Sequence, residues 1–212
     1  MTAVLFDLDG TLADTAPDLG FALNVLRTRR GLEALSIDAI RPQASNGVRG
    51  LLRLGFCIEP EDPGFAAMRL EYLDVYGENL CRKTRLFEGA KELLDEMEKR
   101  GIPWGIVTNK PMRFALPLVR SLGLHAGVVV GGDTCRNQKP HPEPLLFAAG
   151  KLEAVPSSCI YLGDDRRDTE ASLAAGMTSI VANYGYLGAG NSESWGAHGR
   201  IDHPLEFLEY LP

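Results

Sequence analysis

Asp7 and Asp9 stand one residue apart at the end of a short apolar run, Ala3 to Phe6, and lead into the turn-forming pair Gly10-Thr11. Alternate side chains of an extended backbone share a face, so both carboxylates can point into the same space. Two carboxylates held that close repel, and burying them uncompensated costs several kcal/mol per ion. A divalent cation is the usual remedy. Further along the chain, Thr108 offers a hydroxyl, Lys139 a point positive charge, and Asp164 and Asp165 more acid, with Asp168 one helical turn past Asp164. Several carboxylates around one point suit Mg²⁺, which takes oxygen ligands and completes its shell with water or phosphate. One carboxylate must stay free to attack. A phosphoryl group is itself anionic and needs donors, which Lys139, Thr108 and the turn amides of Leu8 and Asp9 can supply. Phosphate-monoester hydrolysis is among the slowest uncatalysed reactions, and passing through an aspartyl-phosphate divides it into easier steps.

Each of these residues has an ordinary explanation when taken alone. Thr108 suits a strand-end hydroxyl, Lys139 a solvated loop lysine, and Asp164-Asp165 a helix cap, where the macrodipole favours acids. Their order along the chain is what brings them together. Trp104–Val107 is a strand ending at Thr108-Asn109-Lys110; Val128–Val130 is a strand followed by the loop that carries Lys139; Cys159–Leu162 is a strand ending at Gly163-Asp164-Asp165. Between them lie helical patterns. Ala90, Leu93, Leu94 and Met97 fall at i, i+3, i+4, i+7, a second helix runs from Met112 to Gly123 with a kink expected at Pro117, and Pro142 and Pro144 open a third. A helix over Asp168–Ala175 and a fifth strand over Thr178–Ala182 complete the alternation. Such a pattern predicts an α/β fold, a Rossmann-like doubly wound parallel sheet with helices on both faces. Parallel sheets of this kind bind ligands at the carboxyl ends of their strands, where every candidate residue falls.

Residues 14–85 read differently. Pro17, Leu19, Leu23 and Leu26 mark a helix stopped by Gly31, Ser36 caps a short helix ending near Pro42, Gly47–Leu54 is a third, and Phe65, Met68, Tyr72 and Val75 stripe a fourth. No strand is expected there. The organisation is therefore an α/β core of residues 1–13 and 86–212 with a helical cap subdomain, 14–85, inserted over the sheet's carboxyl edge. The first strand begins almost at Met1, which leaves no room for a signal peptide, and no apolar run approaches the roughly 18 residues of a spanning helix. Acidic residues outnumber basic ones, 28 to 22, for a net charge of −6, which argues against nucleic-acid or anionic-membrane partners. Cys57, Cys81, Cys135 and Cys159 form no Cys-x-x-Cys pair, and free thiols in a reducing cytoplasm are expected. His125, His141, His198 and His203 show no ligand spacing.

Taken together, Asp7-Leu8-Asp9-Gly10-Thr11, Thr108, Lys139 and Gly163-Asp164-Asp165-Arg166-Arg167-Asp168 resemble the four motifs of the haloacid dehalogenase superfamily. The likeness spans nearly the whole chain, including the helical insertion. It implies Asp7 as nucleophile and Asp9 as general acid/base, with Thr108, Asn109 and Lys139 on the phosphate. It also implies Asp164, Asp7 and the Asp9 carbonyl around Mg²⁺, with Asp165 and Asp168 as supporting acids. The acid at position 9 argues against the dehalogenase branch. Trp104–Pro111 and Asp202–Glu206 are similar to the phosphoglycolate phosphatase group, and to its subgroup acting on N-acetylmuramic acid 6-phosphate. The expected partner is thus a small phosphorylated metabolite; the oligomeric state is left open. A sugar-phosphate mutase shares the same motifs. A signalling receiver domain shares the residue types but places its acidic pair first, and a non-catalytic binding protein would lack some of the set. Both suspected substrates carry a carboxylate, so arginines outside the motifs are the expected specificity residues: Arg49 first, Arg113 second.

Overall fold

The computed structural model describes residues 2–188 and 191–212. β1 (Ala3–Phe6) is buried along its whole length and lies at the centre of a six-stranded sheet. β4 (Trp104–Val107) pairs on one side of it, with Leu5 opposite Gly105, and β6 (Cys159–Gly163) on the other, with Leu5 opposite Tyr161. β5 (Val128–Val130) extends the sheet beyond β4; β7 (Thr178–Ala182) and β8 (Gly199–Ile201) extend it beyond β6. The order is β5-β4-β1-β6-β7-β8 and every pairing is parallel. Parallel strands covered on both faces need apolar side chains on both, which is why β1 reads as an unbroken apolar run.

Helices fill the two faces. α5 (Ala90–Lys99) and α6 (Met112–Ser121), with the short helical turn Pro204–Tyr210, pack Leu93, Met97, Leu118 and Phe207 against Val4, Phe6 and Ile106. α7 (Glu143–Lys151) and α8 (Arg166–Ala174) pack Leu145, Ala149 and Ala171 against Leu5, Val107 and Tyr161. α6 runs on through Pro117.

A separate apolar cluster holds the helical block together. α1 (Ala16–Arg29), α2 (Ile37–Ala44), α3 (Gly47–Phe56) and α4 (Phe65–Glu78) bring Leu19, Leu23, Ile40, Leu51, Leu52 and Tyr72 into one core. Ser36 caps α2 as the sequence predicts, its side chain accepting from the Ala39 N–H. The chain enters and leaves this block through two short strands, β2 (Ala13–Asp14) and β3 (Arg85–Leu86), which pair antiparallel with Ala13 opposite Leu86. The buried Asp18 carboxylate ties the first turn of α1 to the exit connector by accepting from the Lys83 N–H (2.9 Å), the Thr84 N–H (2.8 Å) and the Thr84 hydroxyl (2.8 Å). Among the described residues, no helix is long and apolar enough to cross a membrane.

Three expectations change. A strand is present at each end of the helical block, and the sheet has a sixth strand, β8. All three are two or three residues long, too short for an alternation to register in a sequence. α8 also begins at Arg166, earlier than the periodicity implied, because Asp165 caps it.

Candidate active site

The carboxyl edge of the sheet gathers the acids. Asp7 follows β1 directly, and its N–H donates to the Leu162 carbonyl of the neighbouring strand at 2.9 Å. Asp164 follows β6 and turns inward, with no exposed surface. It accepts from the Thr11 hydroxyl at 3.1 Å and from the Tyr186 N–H at 2.8 Å. Gly10, at φ +83°, and Gly185 are the backbone that closes over it; a Cβ at either would overlap the Asp164 side chain. Asp165, one residue on, borders the cleft and is tied to the start of α8. Its side chain accepts from the Arg167 N–H at 2.9 Å and grips the Arg167 guanidinium, while its own N–H donates to the Asp168 side chain at 3.0 Å. The adjacent acids therefore divide the work: Asp164 enters the site and Asp165 starts a helix.

Lys139 reaches the same point from the loop after β5. Its buried ammonium lies 2.6 Å from Asp168 Oδ1 and 3.0 Å from Asp7 Oδ1, and it donates to the Val107 carbonyl (2.9 Å) and the Tyr161 hydroxyl (2.8 Å). Burial alone would push this lysine down, but the charges of Asp168 and Asp7 hold it above its ordinary value. Burial pushes Asp7 up to about 7; Lys139 opposes the rise, and Asp168 and Asp9 add to it. Asp164 is raised by burial first and then by Asp7 and Asp168. Among the described residues, Asp7 Oδ1 has no hydrogen bond of good geometry, although the Lys139 ammonium is close to it.

Asp9 is held from two sides through one oxygen. Lys110 Nζ lies 2.6 Å from Oδ1 and the Thr15 hydroxyl 2.5 Å from it, which leaves Oδ2 without a bond from the described residues. Thr15 begins the chain's entry into α1. There the Tyr186 hydroxyl accepts from the Thr15 and Ala16 N–H groups at 2.7 and 2.9 Å and lies 3.0 Å from the Asp14 carboxylate. Thr108 is buried beside this group, and its Oγ1 accepts from the Lys110 N–H at 3.2 Å. Asn109 bonds the Lys139 backbone twice, donating to its carbonyl at 2.9 Å and accepting from its N–H at 3.0 Å. Its side chain therefore fixes the lysine's loop.

A cleft of about 340 Å³ opens over these residues. Asp7, Asp9, Thr108, Asn109, Lys139, Asp165 and Asp168 line its floor, and residues of α1, α3, α4 and the α2–α3 turn form its far wall. Arg49 lines the cleft, but its side chain is 63 % exposed and pairs with Glu59 at 3.3 Å. Arg113 is absent from the lining, and its guanidinium lies over the Phe114 ring at 4.6 Å. The site also contains residues that the spacing did not single out: Thr11, Lys110, Tyr161 and Tyr186. Tyr161 had one visible signal, a hydroxyl inside a buried apolar strand that needs a partner. Lys110 sits in the strand-end loop already flagged by Thr108.

A parallel sheet with an inserted helical block, and with acids, a lysine and a threonine converging on its carboxyl edge, defines a class of carboxylate-based α/β hydrolases. The chain belongs to the haloacid dehalogenase-like hydrolase family, which matches residues 4–182. It is 43 % identical over 214 residues to the N-acetylmuramic acid 6-phosphate phosphatase of Pseudomonas putida, a match covering 100 % of this chain and 96 % of that one. It is 40 % identical over 210 residues to a phosphoglycolate phosphatase of Xanthomonas campestris, covering 98 % and 95 %. In three dimensions it matches a predicted phosphoglycolate phosphatase from Haemophilus somnus with a TM-score of 0.88 at 26 % identity, over 99 % of this chain and 97 % of that one.

Proposed function

We propose that the protein is a Mg²⁺-dependent phosphomonoesterase that hydrolyses a small phosphorylated metabolite through an aspartyl-phosphate on Asp7. The observation that carries the reading is the buried Asp7 carboxylate, with one oxygen free of hydrogen bonds of good geometry, 3.0 Å from a lysine ammonium held by three further oxygen partners. Asp7 attacks phosphorus and displaces the substrate oxygen, which takes its proton from Asp9. Asp9 then removes a proton from the water that cleaves the acyl-phosphate, returning both residues to their starting states. The free Oδ2 of Asp9 is the atom available for both transfers. Lys139 and the Thr108 hydroxyl hold the phosphoryl oxygens, and Asp168 and Asn109 hold Lys139.

The donor set fits a hard divalent cation. Asp7, Asp164 and Asp168 each offer an oxygen, these atoms lie within 4.8 Å of one another, and two of the three carboxyls are driven upward by burial and mutual repulsion. Asp7 and Asp164, with the Asp9 carbonyl, are the residues that would hold Mg²⁺; Asp168 is committed to Lys139. Bound there, the ion would offset the charge of the carboxylates and the phosphoryl group. Residues 14–85 act as the cap, and the cytoplasm is the proposed location, in keeping with four free cysteines. The relatives named above make N-acetylmuramic acid 6-phosphate and 2-phosphoglycolate the first substrates to try. The test is phosphate release with and without Mg²⁺ from those two esters and from phenyl phosphate. No release from any of them overturns the reading.

A further inference from the structure

The mechanism above uses only the floor of the cleft. Its helical wall carries a feature that the mechanism leaves unexplained. α4 turns Arg69, Tyr72, Leu73 and Tyr76 toward the cleft, at i, i+3, i+4 and i+7, so one helix face lines it over two turns. At the inner end, Tyr76 is 2 % exposed and its hydroxyl has no hydrogen-bond partner among the described residues. Its neighbour Tyr72, equally buried, donates its own hydroxyl to the Leu19 carbonyl at 2.9 Å. The Tyr76 ring is packed edge-on against Phe114 at 5.5 Å and lies under the Lys110 ammonium at 5.1 Å, the same ammonium that grips Asp9. A buried phenol without a partner costs about 1–3 kcal/mol, so a fold retains one where something else gains from it. At the outer end, Arg69 is the one cation lining the cleft, among the described residues, that no acid pairs. Arg49, Lys110, Lys139 and Arg167 all have carboxylate partners.

We propose that this face of α4 reads the leaving group, with the Tyr76 hydroxyl donating to an oxygen near the ester and Arg69 binding a carboxylate roughly 10 Å further out, the rise of seven helical residues. The inference rests on the phosphomonoesterase reading and names its substrate class: an acidic sugar phosphate, long enough to span both groups, rather than a two-carbon acid. Tyr72 and Leu73 lie between the two ends and suit the apolar substituents of such a sugar. Burial, with the nearby charges of Asp9 and Asp18, keeps the Tyr76 hydroxyl protonated and so able to donate.

The experiment compares wild type, Tyr76→Phe and Arg69→Ala on N-acetylmuramic acid 6-phosphate, 2-phosphoglycolate and phenyl phosphate, with Tm measured for each variant and for Tyr72→Phe. Expected for Tyr76→Phe is a loss in kcat/KM of about 10-fold or more on the sugar acid and less than about 2-fold on phenyl phosphate, with Tm unchanged or raised. Arg69→Ala should raise KM for the sugar acid about 10-fold, with a smaller rise for 2-phosphoglycolate and none for phenyl phosphate. Tyr72→Phe, which loses a satisfied bond, should lower Tm. Losses of the same factor on all three esters, or on none, overturn the inference. So does a Tm drop in Tyr76→Phe matching that of Tyr72→Phe, since the hydroxyl would then be structural. A wild type that prefers 2-phosphoglycolate or phenyl phosphate to the sugar acid overturns it as well. Failure of the wild type on every ester is a different result, which removes the phosphomonoesterase reading itself.

Discussion

On the sheet side of the cleft, Lys139, Asp164, Asp165 and Asp168 each make two or more polar contacts within the protein, while on the α4 side the Tyr76 hydroxyl and Arg69 make none among the described residues. In the proposed reaction the sheet side faces the part of the substrate that every phosphomonoester shares, and its groups are locked in place before the substrate arrives. Such preorganisation is what makes charged donors effective on a developing anion. On the same proposal the helical side faces the part that differs between esters. Groups held there without internal partners are satisfied only by a substrate that fits, and their discrimination is sharp because a mismatched ester leaves them unpaired.

Asp7→Asn should cost the most, because an amide cannot attack phosphorus. A loss beyond about 10⁴-fold in kcat is expected, in the range seen when nucleophiles are removed elsewhere. Retained activity above about a hundredth of wild type would take the nucleophile role away from Asp7. Asp9→Asn should follow, at about 10²- to 10⁴-fold, since it removes the proton carrier. Pre-steady-state kinetics should then show slowed phosphorylation with the fold intact by circular dichroism; an unaltered rate assigns proton transfer to another group.

Lys139→Met tests how tightly the sheet side is locked. It strands Asp7 and Asp168 as buried neighbouring acids, a defect worth about 3–5 kcal/mol, or about 6–20 °C in Tm for a protein of this size. Activity should fall by about 10²- to 10³-fold as well. A variant with wild-type Tm would mean the lysine is not relieving that repulsion.

If Mg²⁺ binds at the proposed site, these acids would set the pH dependence of its binding. In the metal-free protein Asp7 is raised from 3.8 to about 7, and Asp164 is raised too, so the folded state binds more protons than the unfolded chain in that window. The Asp7 contribution to stability is full below pH 3.8 and is lost as pH climbs through about 7, and the raised Asp164 acts in the same direction. Mg²⁺ needs the same carboxylates deprotonated. The Tm gain on adding Mg²⁺ to chelator-treated protein should therefore be larger at pH 8 than at pH 5.5, by about 5 °C. A gain independent of pH would place the ion away from these acids.

The smallest effect is expected at Arg49. Exposed ion pairs such as Arg49–Glu59 contribute about 0–1 kcal/mol, so Arg49→Ala should change kcat/KM by less than about 3-fold on any of the three esters. A selective loss of 10-fold on the carboxylate-bearing esters would move the reading of the leaving group from α4 to α3.

Much of this was legible in the sequence because it is written in local patterns. Strand and helix periods are set by backbone geometry within ten residues, so the alternation after residue 86 and the helical stretch before it could be read directly. A parallel sheet with its loops at the carboxyl edge followed from that alternation and put Asp7, Asp9, Thr108, Lys139 and Asp164 near one another, whereas the strand order came only from the structure. What sequence could not decide was which way a side chain turns and what it meets. Asp164 and Asp165 are chemically identical neighbours; the close approach of Gly10 and Gly185 to the first, and the start of α8 at the second, gave them different tasks. From the sequence, Arg49 was the first expected reader of a carboxylate and Arg113 the second, and Arg69 was not singled out. Only the packing of the helices around the cleft paired Arg49 with Glu59, laid Arg113 on Phe114, and placed Arg69 on the cleft wall without an acidic partner among the described residues. Residue type states what a group can do; the contacts made by chain segments far apart in sequence decide whether it is free to do it.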